Sequence, residues 1–70
     1  MPTLKLRISG MRHADEERIK QALEAEPGVY GVEASHESGC ADVDYEDDEV
    51  AIDRLIELIR AVGFEAELAG

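Results

Sequence analysis

Hydrophobic positions along this chain follow two rhythms, and the switches between them mark its strands and helices. Leu4, Leu6 and Ile8 alternate with Lys5 and Arg7. Successive side chains of a strand point to opposite faces, so this period of two predicts a half-buried strand. Ser9–Ala14 reads as a turn, and from Asp15 the spacing changes. Ile19, Ala22 and Leu23 share one face of a helix, while Asp15, Glu16 and Glu17 load its first turn with acid. Negative charge there complements the partial positive charge of a helix N-terminus. Pro27-Gly28 ends the helix in the order that suits a type II turn.

Alternation then returns. Val29, Val32 and Ala34 predict a second strand, with Val32, Ala34 and His36 on one side and Glu33, Ser35 and Glu37 on the other. Ser38-Gly39 predicts a two-residue hairpin loop that pairs Glu37 with Cys40 and His36 with Ala41. In that register Ala41, Val43 and Tyr45 share the apolar face, and Cys40, Asp42 and Asp44 take the other. Glu46-Asp47-Asp48-Glu49 is a solvated acidic loop. Ile52, Leu55, Ile56 and Ile59 form the stripe of a second helix, which Gly63 stops. Phe64, Ala66 and Leu68 alternate with Glu65 and Glu67 as the last strand.

The order βαββαβ predicts an α+β, ferredoxin-like sandwich. Right-handed crossovers give a four-stranded antiparallel sheet of order 4-1-3-2, with both helices on one face. Residues 1–70 are read as a single domain, with no linker or low-complexity stretch. The topology gathers His13, the His36–Cys40 hairpin and Gly63-Phe64 at one end of the molecule. Such a strand-to-helix turn is a natural ligand site, since helix N-termini expose unpaired N–H groups.

Composition narrows the chemistry. The formal charge of −10 excludes nucleic acid and anionic membrane surfaces as partners, because phosphate binding needs clustered Lys and Arg. An acidic surface attracts a cation or a basic protein instead. The one cysteine, Cys40, excludes an intrachain disulfide and a Cys-only metal site. No apolar run approaches the roughly 20 residues of a membrane span and no signal-peptide pattern precedes Leu4, so a cytoplasmic protein without membrane insertion is expected. No nucleophile–base or acid–base pair stands out, and the chain is not read as an enzyme. The exposed sheet face carries charge without aromatics, unlike RNA-binding sheets of this topology.

Leu6-Arg7-Ile8-Ser9-Gly10-Met11, Ile19 and Leu23, Pro27-Gly28-Val29, Val32 and Ala41-Asp42-Val43-Asp44-Tyr45 form a recognisable series. With Val50, Leu55, Ile56, Ile59 and Gly63-Phe64, it resembles the heavy-metal-associated domain of copper chaperones and metal-transporting P-type ATPases. The resemblance implies metal binding or transfer, with a metal transporter or chaperone as partner. That family carries Met-x-Cys-x-x-Cys in its first turn, two thiolates that hold Cu(I). Here the turn reads Met11-Arg12-His13-Ala14-Asp15-Glu16. Counted forward from Met11, His13 and Glu16 take the cysteine places; counted backward from Ile19, Arg12 and Asp15 do. Both thiols are absent under either count.

The candidate metal ligands are therefore His13, Asp15, Glu16 and His36, with Cys40 a minority option. By strand parity Cys40 points onto the open sheet face. Imidazole and carboxylate suit a divalent transition metal, Zn(II), Ni(II) or Cu(II), rather than Cu(I). The alternative is a metal-free module whose acidic surface docks a basic partner protein. Charge also bears on stability, because so many acids on a small chain repel one another. The melting temperature should rise between low and moderate salt, as screening reaches a Debye length of about 10 Å at 0.1 M. Thermal melts across a salt series check this, and a flat or falling trend counts against it.

Overall fold

In the computed structural model, which describes residues 2–69, β1 spans Thr3–Ser9 and lies inside the sheet. Met1 and Gly70, the ends of the expected 1–70 domain, lie outside the described residues. After a 3-10 turn at His13–Asp15 come α1 (Glu16–Glu24), β2 (Val29–Ser35), β3 (Cys40–Tyr45), α2 (Ile52–Ala61) and β4 (Glu65–Leu68). The four strands pair antiparallel in the order β2-β3-β1-β4, the expected order read from the other edge. The fold is the ferredoxin-like α+β sandwich.

The core forms because each element offers one apolar face. Leu6 and Ile8 from β1, Ala41 and Val43 from β3, Ile19 and Leu23 from α1, and Leu55 and Ile59 from α2 are buried together. Lys5 and Arg7 stay on the open face, where Lys5 lies opposite Asp42 and Arg7 opposite Glu67. Arg7 Nη1 approaches Glu67 Oε1 at 3.8 Å, an exposed pair worth about 0–1 kcal/mol. Each helix also sends an arginine to the turn that ends the other. Arg18 Nη2 donates to the Val62 carbonyl at 2.9 Å with its guanidinium 5.9 Å from the Phe64 ring centre. Arg54 forks onto both oxygens of Glu26 at 3.2 and 3.3 Å.

The turn after α1 is the expected one. Val29 N donates to Glu26 O at 3.2 Å across Pro27 and Gly28, and Gly28 holds φ 96°. A Cβ at Gly28 would stand 2.9 Å from Glu49 Cβ, so the residue must lack one.

Three details depart from the sequence expectations. The hairpin pairs Ser35 with Cys40 and Ala34 with Ala41, not Glu37 with Cys40 and His36 with Ala41. His36–Gly39 therefore forms a four-residue loop, closed by Gly39 N donating to Ser35 O at 2.9 Å and by Ser38 Oγ accepting from Cys40 N at 3.3 Å. Gly39, at φ 72°, takes the left-handed turn position. A bulge between Val29 and Gly31 lets Val29 and Val32 both pack on the core side and leaves Tyr30 exposed at 58%. Leu68, placed by alternation on the apolar face, is 55% exposed at the end of the β4 edge strand.

A domain of this size has only about 3–5 kcal/mol of stability to lose. Leu23→Ala or Ile59→Ala, both at fully buried positions, should each cost about 2–5 kcal/mol and leave much of the chain unfolded. Leu68→Ser should stay within about 0.5 kcal/mol of wild type. Urea denaturation of the three variants is the check.

Candidate metal centre

The turn that links β1 to α1 is built by three residues, Met11, Arg12 and Asp15. Met11 inserts its side chain into the core and anchors the chain there. Arg12 and Asp15 then bond reciprocally: Asp15 N donates to Arg12 O at 2.9 Å, and Arg12 N donates to Asp15 Oδ2 at 3.0 Å. Arg12 Nε reaches the same oxygen at 3.3 Å, while Arg18 Nη1 lies 3.8 Å from Oδ1. Asp15 is thus only 3% exposed, with a cation at each oxygen. The Arg12 backbone N–H first, and then its guanidinium, hold the Asp15 carboxyl below the usual carboxylate range against the opposing pull of burial.

Glu16, the next residue, faces the β2–β3 hairpin. Its Oε2 accepts the His36 backbone N–H at 2.6 Å and lies 2.7 Å from His36 Nδ1. The His36 backbone N–H, with its ring as the second cause, lowers the Glu16 pKa. From the other side the hairpin is fastened to β1, where Ile8 N donates to Gly39 O at 2.7 Å. Between these fixings the rings of His13 and His36 meet edge to face, with centroids 5.3 Å apart and planes at 83°.

The structure therefore brings His13, His36 and Glu16 together, as the topology predicts for the turn and the hairpin. Asp15 is turned away and engaged with Arg12. Cys40 pairs across the ladder with Ser35 and Arg7, on the open face, and its Sγ lies 3.6 Å from Ser38 O. Among the described residues, three donor atoms from His, Cys, Asp or Glu lie within 4.8 Å of one another only at Glu46, Asp47 and Asp48. His13, His36 and Glu16 therefore do not bring three donor atoms within that distance. Sequence reasoning missed both the inward turn of Asp15 and the grip of Glu16 on the hairpin. The first had a signal in the three-residue spacing from Arg12 to Asp15, which suits an acid bonding back to the start of a helical turn.

No protein-family model and no curated protein matches the chain. Solved structures do. A copper binding domain from HMA7, a P-type ATPase, superposes with a TM-score of 0.94 at 25% identity, over 100% of this chain and 96% of its own. The yeast copper transporter domain CCC2A, solved in apo and Cu(I)-loaded states, gives 0.89 at 29% identity over 97% of this chain and 94% of its own. The metallochaperone CopZ gives 0.90 at 24% identity, over 94% of this chain and 100% of its own. This chain has the fold of the heavy-metal-associated domains.

On that fold, the first turn carries His13, with Asp15 bonded to Arg12 and Glu16 to His36. Among the described residues, no helix is long and apolar enough to cross a membrane. The turn also leaves a signature in acid. A carboxyl whose folded pKa lies below its unfolded one stabilises the fold above the ordinary carboxylate range, and this contribution is lost as pH falls through the folded value. Asp15→Asn should therefore melt below wild type at neutral pH, and the gap should close as the pH falls below the ordinary carboxylate range. Paired thermal melts test this, because the difference cancels the relief of general acidic repulsion that both proteins share.

Proposed function

We propose that this domain binds a divalent transition-metal ion, Zn(II), Ni(II) or Cu(II), at the turn after β1 and passes it to a partner protein. His13 and His36 supply the donors. The observation that carries this reading is their juxtaposition from distant parts of the chain, with ring centres 5.3 Å apart and nearly perpendicular. A tetrahedral ion with Zn–N bonds of about 2.0–2.1 Å separates the centres of two ligating imidazoles by about 5 Å, a separation similar to that of these two rings. Two imidazoles and nearby carboxylate make a weak, open site that leaves positions for water or for a partner's donors.

Cu(I) is a poor fit to these groups. It prefers thiolates, and the one thiol of this chain sits on the opposite face of the sheet. The solved relatives named for copper thus support the class of cargo, a transition metal, while the donor set supports a harder ion. The acidic surface favours a basic partner such as a metal transporter or chaperone, by charge complementarity. A cytoplasmic setting, where a lone thiol stays reduced, completes the reading.

An amide-shift titration with Zn(II), Ni(II), Cu(II) and, under reduction, Cu(I) tests the proposal. Zn(II) should move the amides between Gly10 and Glu17 and those of the hairpin, with saturable binding. His13→Ala should abolish saturation, and Cys40→Ser should leave it intact. Affinity should fall on acidification, because only neutral imidazole is a ligand. Unmoved amides at the turn would overturn the metal reading.

A further inference from the structure

Glu16 uses one carboxylate oxygen for two contacts with the same residue. Oε2 takes the His36 backbone N–H at 2.6 Å and stands 2.7 Å from the His36 ring at Nδ1. An ionised carboxylate only accepts, so Nδ1 must be the donor in that contact. In a neutral imidazole the hydrogen bond at one nitrogen decides which nitrogen keeps the lone pair. Here that leaves the lone pair on Nε2.

We propose that Glu16 is a positioning residue for the metal site: it locks His36 in the Nδ1–H tautomer and makes Nε2 the ligating atom. The inference rests on the metal reading above and assigns Glu16 a role one step removed from the ion. The backbone contact matters as much as the ring contact. It fixes the carboxylate against the hairpin, so the ring is oriented by a group that is itself held. Carboxylate–histidine pairs of this kind orient the ring and raise its basicity, and their loss typically costs about 10–100-fold in metal affinity. A direct ligand role for Glu16 makes a different forecast, because a neutral amide is a much poorer donor to a metal than a carboxylate.

Two measurements separate these roles. Long-range proton–nitrogen spectra of the metal-free protein, at a pH where His36 is neutral, should show its proton on Nδ1. That preference should survive in Glu16→Gln, whose amide oxygen still accepts, and vanish in Glu16→Ala. Zn(II) titration should then give an affinity for Glu16→Gln much closer to wild type, and a loss of about 10–100-fold for Glu16→Ala. Metal-free His36 protonated on Nε2 overturns the inference, as does a glutamine variant as weak as the alanine one. If wild type binds no Zn(II), the metal reading falls and the inferred metal role falls with it, while the metal-free spectrum still decides the tautomer lock. Zn(II) binding that needs His13 and His36 but is indifferent to Glu16 keeps the reading and removes this inference alone.

Discussion

The single apolar face of the sheet is the constraint on which the rest of the structure depends. β1 lies inside the sheet, so Leu6 and Ile8 must be covered by helix side chains. Two helices of 9 and 10 residues provide that cover, and neither has a turn to spare. Isolated helices this short are marginal in water, so packing and end contacts must hold them in place. Arg12 and Asp15 set where α1 begins, and Arg18 and Arg54 fasten the helices to the turns around them. The site inherits its geometry from this economy. The turn carrying His13 is fixed because α1 has to start there.

The layout of the fold was legible because period and parity carry most of it. Leu4, Leu6 and Ile8 against Lys5 and Arg7 leave one choice of face for β1, and the apolar stripe of α2 leaves one for the helix. The hairpin register was not legible, for a specific reason. Sliding β2 by two residues against β3 keeps every side chain on its face, so the pattern cannot distinguish a two-residue loop from a four-residue one. Loop chemistry settles it, with Ser35 and Ser38 supplying acceptors inside the longer turn. The three-residue step from Val29 to Val32 was a visible break in alternation, and it is the bulge. Leu68 fails for another reason, since alternation assigns a face but not whether a helix covers it.

At the site, proximity was readable and orientation was not. The crossover topology brings the turn and the hairpin to one end whatever their side chains do. Asp15, Glu16 and Glu17 look alike in sequence as acids of a first helical turn. In the structure they differ sharply: Asp15 is buried on Arg12, Glu16 holds His36, and Glu17 is exposed. Helix geometry turns each successive residue by about 100°, so neighbouring identical charges meet unrelated surroundings.

Exchanging thiolate for imidazole on one frame changes more than the preferred ion. Paired thiolates neutralise a monovalent cation and can hold it with low coordination. Two neutral imidazoles leave the full charge of a divalent ion in place, beside a surface whose formal charge is −10. Under the proposed function that surface takes over part of the work of attracting the ion, through the long-range field rather than through bonds. Such attraction is screened by salt, whereas a coordinate bond is not, so capture and retention respond to different conditions. In the same reading, vacant positions would let a partner's donors join before His13 and His36 leave. Transfer can then proceed through shared coordination without releasing a free ion, and weakness of the resting site becomes a condition for handing the metal on.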